Sequence, residues 1–485
     1  MASEHVGVGR ANNRSMSSIT RFPFLSMFFR AGPARPRTLG SVTPWPIGRW
    51  LGYGLLSCAA LLAGPRVEAF FAEGAGDRNI ERGRSIYREL TAAARRGDWR
   101  RVDDLRAMLD AYPLASYADY ERLMVRLDDT PGTQARVFVD THERSPLGVR
   151  YLGHYLNAAG RDRRWGDLLA AAQGEPRSEK LRCYYARAKR GRGQEREAWE
   201  LASRLFLSGS SVDKACDPLF RLWREQGGPG DALLWSRAKL AFRARERGLL
   251  RYLASLGGPT EAMEVLQQVY REPQRTPALT QNLAPPYRAE VAALGLERHS
   301  RYDPAQALRQ YEALDQGLLD ASQRSRVEVA IAFRALLERD EAVRAWIDRN
   351  LPRWRDDKLT ELRLRWAIAE LDWPSLLANA DALTERARGQ GEWRYWRARA
   401  LGALGDAESE RSLLSALAQE RSFYGFLAAD RSGEAYQFAS ESAAPWSEDQ
   451  LPDWVREAAW RVHELTAIEQ HRLAHAEWSH AIQRV

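Results

Sequence analysis

Residues 185–205 read YARAKRGRGQEREAWELASRL, and this stretch decides the fold class. It holds an alanine-containing segment, a glycine break at Gly193, and a second segment that carries a tryptophan. The same order recurs across 396–417 around Gly405. Two short helices joined by a tight turn share an apolar face that neither can cover alone, so such pairs stack on their neighbours. The repeated pattern predicts a solenoid of helical hairpins.

The rest of the chain beyond about residue 80 follows the same plan. Apolar residues recur at three- and four-residue spacing within segments of about 12 to 18 residues, which is typical of amphipathic helices. Short breaks separate these segments, at 97–98, 160–162, 191–193, 227–230, 257–259 and 389–391. The pattern predicts an all-α protein, a superhelix similar to arrays of tetratricopeptide-like repeats.

Composition limits the class of protein and the kind of partner. The 485 residues are 45% hydrophobic, the mean hydropathy is −0.51 and the net charge is +8. This polarity excludes an integral membrane protein. The basic balance favours an anionic partner such as a cell-wall polymer, or it reflects arginines on solvated helix faces. No zinc-finger or RNA-recognition motif occurs, so we expect no nucleic-acid partner.

Residues 1–69 differ in composition and are predicted to be an extended leader with a signal peptide. An apolar run at 50–63 ends near the small residues of 67–69, which is the plan of a secretory signal. The run is shorter than the ~20 residues that span a bilayer. A membrane anchor and a lipoprotein signal around Cys58 are the alternatives. We therefore expect an exported protein with no integral membrane span after processing.

Two cysteines remain beyond the leader, Cys183 and Cys216. In an oxidising compartment an isolated pair is most simply a disulfide. Two unpaired buried thiols are the alternative. No Cys-x-x-Cys spacing is present, which disfavours a redox role.

Three blocks of sequence stand in order along the helical part. They are GDW (97–99) with DAYPLASY (110–117), then CYYA (183–186) with EAW (197–199), LFLSGSS (205–211) and ACDPLFRLW (215–223), and last EWRYWRA (392–398) with RSFYGFLAA (421–429). Their order, their spacing and both cysteines resemble the superhelical region of the soluble lytic murein transglycosylases. The last block is the most specific of the three.

The resemblance implies a domain organisation. A superhelical domain over 70–438 would curve into a ring or horseshoe, a linker would occupy 439–450, and a smaller helical linker domain would begin at 451–485. In that family a lysozyme-like catalytic domain cleaves the bond between N-acetylmuramic acid and N-acetylglucosamine without adding water. One glutamate protonates the leaving oxygen and then helps the sugar's own hydroxyl to attack, which yields 1,6-anhydromuramoyl products.

The resemblance also indicates what to expect of catalysis. The family's glutamate stands in a Glu-Ser pair ahead of a Gly-Leu-Met-Gln segment, and no such segment occurs in this sequence. The pair Glu441-Ser442 lies in a linker-like run, where solvation keeps a carboxyl from becoming a general acid. We therefore expect the catalytic domain to be missing, with no catalytic residue and no cofactor. Whether the chain alone is an enzyme stays uncertain.

An aromatic and arginine cluster is the candidate glycan-binding site. Aromatic rings can stack on sugars, and guanidinium groups can hold muramyl or peptide carboxylates. The alternative is that the aromatic rings fill the core and the arginines face water. The candidate residues are Trp393, Arg394, Tyr395, Trp396, Arg397 and Tyr424.

His471 and His475 are spaced to share one helix face, as zinc ligands do. Arg472 stands where a His-Glu-x-x-His motif requires glutamate, so a solvated surface pair is favoured and no metal site is predicted.

Two functional hypotheses follow. The first is the superhelical, non-catalytic region of a lytic transglycosylase, which binds peptidoglycan glycan strands. The alternative is a periplasmic α-solenoid scaffold that binds a protein partner, such as another cell-wall enzyme.

Overall fold

The computed structural model describes residues 77–315, 317–438 and 451–484, all within the second of the chain's two units, Phe71–Val485. The leader predicted at 1–69 and the linker predicted at 439–450 lie outside the described residues, as does Glu441. The domain boundaries proposed from the sequence remain predictions.

The described residues form 25 α-helices and contain no strand, which confirms the all-α prediction. Two short 3₁₀ helices, Lys214–Cys216 and Pro273–Arg275, lie between them. The α-helices are α1 (Asp77–Arg96), α2 (Trp99–Arg106), α3 (Ala115–Val125), α4 (Gly132–Thr141), α5 (Pro146–Arg161), α6 (Trp165–Ala172), α7 (Glu179–Gly191), α8 (Glu195–Phe206), α9 (Asp217–Glu225), α10 (Asp231–Ala244), α11 (Arg247–Leu256), α12 (Thr260–Arg271), α13 (Thr276–Thr280), α14 (Pro285–His299), α15 (Pro304–Glu312), α16 (Ala321–Glu338), α17 (Glu341–Trp354), α18 (Asp357–Glu370), α19 (Trp373–Ala380), α20 (Glu385–Arg388), α21 (Gly391–Ala403), α22 (Ala407–Ala418), α23 (Phe423–Ser432), α24 (Asp453–Ala467) and α25 (His471–Ile482).

Glycine-aspartate pairs form the sharpest breaks between helices. Gly97 and Gly405 have φ angles of 75° and 97°, in the left-handed region where a residue with a Cβ atom is strained. The next residue, Asp98 or Asp406, accepts a hydrogen bond from a backbone N–H three residues on, at 3.2 and 3.0 Å. Glycine thus ends one helix and aspartate caps the next, at breaks that the sequence pattern predicts between helices.

The core runs along the array as a series of clusters. One cluster joins α14 to α18 and contains Ile331, Val343, Ile347 and Trp366, all buried. The next cluster begins on α18 with Leu364 and continues to α21. A third joins α21, α22 and α23. Each helix pair is therefore stabilised mainly by its neighbours, which is the physical character of a solenoid.

The last two described helices contact the first ones. Residues of α24 and α25 hydrogen-bond to residues of α1, α3 and the segments between α2 and α5, up to 380 positions away in the sequence. These contacts close the helical array of this unit into a circuit.

Candidate functional site

The structure joins Cys183 to Cys216 in a disulfide, as predicted. Cys183 lies on α7 and Cys216 on the 3₁₀ helix before α9, with 4.9 Å between their Cα atoms. Asp213 connects the segment before Cys216 to α7. Its side chain accepts a hydrogen bond from the backbone N–H of Ala215 at 2.8 Å, and its own backbone N–H donates to Glu179 on α7 at 2.7 Å. The bond therefore ties the loop after α8 back onto α7.

The candidate glycan-binding residues divide between core and surface. Trp393 is 4% exposed and packs in the cluster between α18 and α21, and Tyr395 is 7% exposed in the cluster of α21 to α23. Arg394 is half-buried and forms an ion pair with Glu420. These three side chains serve the packing of α21. The structure therefore does not offer the two rings as free stacking surfaces.

The other candidates remain accessible. Trp396 and Tyr424 are half-buried, while Arg397 is exposed. Phe423 is 68% exposed, and its ring centre lies 5.2 Å from that of Tyr424 in an edge-to-face contact. Burial raises the pKa of Tyr424, and a hydrogen bond with Trp396 opposes that shift. We call Trp396, Arg397, Phe423 and Tyr424 the aromatic surface.

Phe423 was missed as a contact residue by the sequence reasoning, although it stands in the most specific block. Its neighbours Tyr424 and Phe426 suggest an aromatic core position. The serine before it caps α23 by accepting a hydrogen bond from Gly425 at 3.0 Å, and this cap places Phe423 at the first position of the helix. A first-turn residue has fewer helical neighbours to cover it, which is why its ring stays in solvent.

Two buried glutamates hold the contact between the first and last helices. Glu464 on α24 is 2% exposed and accepts two hydrogen bonds from Arg84 on α1, at 2.8 and 2.9 Å. The hydroxyl of Tyr112 donates to the same carboxylate at 2.7 Å. The hydrogen bond to Glu464 is the main reason that the pKa of Arg84 is raised. This charged pair is therefore firmly formed.

The second glutamate, Glu477 on α25, is 1% exposed. It accepts hydrogen bonds from the hydroxyls of Tyr117 and Ser145, at 2.9 and 2.8 Å. Arg461 supplies its counter-charge at 3.3 Å. Burial, followed by the charge of Glu477, raises the pKa of Tyr117, so the phenol stays a donor. We call these contacts, together with those of Glu464, the seam.

A cleft of about 740 Å³ opens beside the seam. One wall is a face of α24 with Asp453, Arg456, Glu457 and Trp460, in which Arg456 and Glu457 each lie three or four residues from both Asp453 and Trp460. The opposite wall comes from the segments 110–116 and 141–145. An indole face with nearby guanidinium and carboxylate groups can stack on a sugar ring and hydrogen-bond its hydroxyls.

The segment 110–117 of this cleft stood out in the sequence as part of the family resemblance, but the sequence did not connect that segment with α24. The spacing of the four α24 residues was a usable signal, because residues three and four apart share a helix face. What the sequence could not provide was the pairing with the opposite wall, which lies more than 300 positions earlier in the chain. His142 lines that wall, and burial lowers its pKa, which favours the neutral imidazole.

The histidine pair of α25 faces solvent. His471 and His475 are both exposed, and the Nδ1 atom of His475 lies 3.3 Å from the hydroxyl of Ser479. Within the part of the chain that the structure describes, no group of three or more potential ligands is arranged for a metal ion.

Across the described ranges, no helix has both the length and the hydropathy needed to cross a membrane.

Comparison with known proteins identifies relatives over most of the chain. The soluble lytic murein transglycosylase of Escherichia coli K12 is 27% identical over 412 residues, which cover 84% of this chain and 63% of the relative. A putative soluble lytic murein transglycosylase of Haemophilus influenzae is 31% identical over 134 residues, 27% of this chain and 21% of that protein. No family model matches the chain.

Solved structures show the same likeness. The 70 kDa soluble lytic transglycosylase of E. coli aligns with a TM-score of 0.70 and 26% identity, covering 83% of this chain and 66% of that one. The lytic transglycosylase Slt of Pseudomonas aeruginosa, in an inactive mutant form, aligns with a TM-score of 0.68 and 27% identity, covering 82% and 66%. The chain spans about 63% of the length of the curated E. coli relative. Agreement in sequence, in helical architecture and in length of match establishes this chain as a homologue of the soluble lytic murein transglycosylases.

Proposed function

We propose that the unit described by residues 77–484 binds peptidoglycan in the periplasm and positions its glycan strands for a lytic transglycosylase reaction, which leaves 1,6-anhydromuramoyl ends. The observation that carries this proposal is the homology over 84% of the chain to proteins named soluble lytic murein transglycosylase. The reaction and its substrate are those of the relatives, and the surfaces below are where we expect this chain to contact the polymer.

The aromatic surface supports the proposal. The ring of Phe423 is exposed and contacts the ring of Tyr424, and Tyr424 and Trp396 both pack against the core that α21, α22 and α23 share. The rings of Trp396 and Tyr424 are held by this packing, so they lose little conformational entropy when they stack on a sugar. Arg397 adds a positive charge that suits the carboxylates of muramyl and peptide groups.

The cleft beside the seam supports it independently. Saccharide sites combine one or more aromatic faces with hydrogen-bonding groups in a concave surface. Trp460 supplies the ring and Arg456 and Glu457 supply polar partners on the same helix face. The cleft therefore has room and chemistry for a sugar unit.

Removing the open ring and the charge of the aromatic surface should weaken retention on insoluble peptidoglycan. For Arg397→Ala combined with Phe423→Ala, we expect roughly thirtyfold weaker retention at limiting sacculi, because two contacts worth on the order of 1 kcal/mol each are lost. The measurement is a pull-down titration with purified sacculi. Val149→Ala combined with Arg196→Ala is the matched control, since Val149 and Arg196 are also exposed. Equal retention of both variants would contradict the role of this surface.

The proposal assigns binding and positioning to this unit, and Glu121 is the carboxyl group on which that division has to be tested. A glycan-cleaving acid needs a carboxyl group whose pKa is raised. Glu464 and Glu477 are held by arginines at the seam. Burial raises the pKa of Glu121, against the opposing charges of Arg150 and Arg95.

We therefore expect no 1,6-anhydro muropeptides after sacculi are incubated with the 485-residue chain. Chromatography of the soluble products with mass detection provides the measurement. Anhydro products that persist in the Glu121→Gln variant would show that another carboxyl of the chain catalyses. Products that disappear in that variant would assign catalysis to Glu121 and refute the division of roles.

A further inference from the structure

Four arginines converge where the ends of α10 and α14 meet α16. Arg245 directly follows α10, Arg298 lies in the last turn of α14, Arg301 lies just beyond it, and Arg334 lies on α16. Together they line a cavity of about 260 Å³. We call these residues the arginine cluster.

The cavity carries an excess of positive charge. Its lining contains a fifth arginine, Arg243, and a single carboxylate, Glu297. That carboxylate is already engaged, because Arg243 approaches it at 3.1 Å and Arg326 at 3.3 Å. No ion pair joins any member of the arginine cluster to a carboxylate among the described residues. Four positive charges thus face one another without a described counter-ion.

The charges are close enough to disfavour one another. Burial lowers the pKa of Arg301, and the neighbouring charges of Arg334, Arg245 and Arg298 lower it further. Arg301 and Arg334 are half-buried, so water screens this repulsion only in part. Repulsion between like charges lowers the stability of the folded protein. Local features that lower stability are common at binding sites.

The cluster is held in place by ordered contacts. The Nε atom of Arg298 donates to the carbonyl of Tyr270 at 2.7 Å, and its guanidinium lies 3.7 Å from the centre of the Tyr270 ring. The hydroxyl of Tyr270 donates to the carbonyl of Arg245 at 2.8 Å. Exposed Tyr302 and Phe333 stand near the opening. The site therefore has a fixed base, cationic walls and an aromatic rim.

We propose that the arginine cluster is an oxyanion-binding site that takes two or more carboxylate groups of a short peptide segment. Guanidinium groups bind carboxylates in a paired, planar geometry, and several of them favour a ligand with more than one anionic group. The choice of peptide carboxylates, over phosphate groups with similar oxygens, rests on the proposed function, because the stem peptides of peptidoglycan carry free carboxylates. The assignment of an anion site rests only on the cluster itself.

Direct titration tests the site with probes of defined chemistry. Citrate, inorganic phosphate and a purified disaccharide tetrapeptide are each titrated calorimetrically into the full chain at low ionic strength. We expect the tetrapeptide and citrate to bind and to weaken as salt is added. Phosphate binding without either carboxylate ligand would overturn the peptide assignment, and no binding by any of the three would overturn the site.

Variants locate the binding. Arg301→Ala combined with Arg334→Ala should raise the Kd for citrate at least tenfold. Arg301→Lys combined with Arg334→Lys keeps the charge but loses the planar paired donors, so its Kd should lie between those of the parent chain and the alanine variant. Arg196→Ala combined with Arg349→Ala removes the same charge from exposed helix positions and should change nothing. Unchanged citrate affinity in the cluster variant would overturn the location.

Thermal unfolding separates binding from a structural role. Because the alanine variant relieves repulsion, we expect its melting temperature in ligand-free buffer to equal or exceed that of the parent chain. A lower melting temperature together with unchanged citrate affinity would assign the arginines to packing alone. Arg397→Ala combined with Phe423→Ala separates the two proposals. If this variant still binds citrate while its retention on sacculi falls, the arginine cluster and the aromatic surface are separate sites.

Discussion

Replacing Arg84 with methionine is expected to release α24 and α25 from the first helices. The substitution leaves the buried Glu464 carboxylate with the Tyr112 hydroxyl at 2.7 Å and the His463 ring nitrogen at 3.9 Å, and without the guanidinium that donates two hydrogen bonds to it. An uncompensated buried charge costs about 3–5 kcal/mol. Because the seam consists of contacts between residues that are far apart in sequence, we expect this cost to appear as local opening. Amide hydrogen exchange in α24, α25 and α1 should accelerate by two orders of magnitude or more, by the rule that ~1.4 kcal/mol is tenfold.

A double variant provides the matched control. Arg84→Met combined with Glu464→Met removes both charges and fills a similar volume, so much of the lost protection should return. Exchange in α16 to α18, which belong to a separate core cluster, should not change in either variant. If Arg84→Met exchanges at the rate of the parent chain in α24, the seam does not depend on this ion pair.

The seam also shapes the cleft. Arg461 both binds Glu477 and lines the cleft, and Ser145 does the same from the opposite wall. Opening the seam would therefore separate the two walls. Arg84→Met therefore tests whether the cleft contributes to peptidoglycan binding. The substitution moves the cleft walls apart and replaces no residue that lines them.

Removing the disulfide is expected to have the second large effect. Cys183 and Cys216 are 33 positions apart, and a closed loop of that length stabilises by about 3–4 kcal/mol in the chain-entropy model. Cys183→Ala combined with Cys216→Ala should therefore lower the free energy of unfolding of the segment from α7 to α9 by about that amount. Helix pairs farther along the array should be affected less, because each pair contacts only its immediate neighbours.

Reductant supplies the control for this variant. Hydrogen exchange in α7 to α9 should accelerate when the parent chain is reduced, and it should not respond to reductant in the double-alanine variant. Equal protection in oxidised and reduced parent chain would mean that the bond adds little to the stability of this segment.

The sequence alone determined the features that depend on local order. Helical periodicity and glycine breaks act over a few turns, and an isolated cysteine pair closes one loop. These features therefore predicted the all-α array and the disulfide. The resemblance across three blocks also predicted the relatives that the comparisons found.

The tertiary structure decided which helix faces are covered. On α21, Trp393 and Tyr395 point toward two different core clusters, while Arg397 on the same helix is exposed. In a solenoid every helix has neighbours on more than one side, so spacing within the helix could not separate stacking rings from core rings. The seam, its cleft and the arginine cluster likewise required the fold, because their parts come from segments that the chain brings together only by stacking one helix pair on the next. That long-range arrangement buries the negative charges of Glu464 and Glu477. It also gathers positive charges around Arg301.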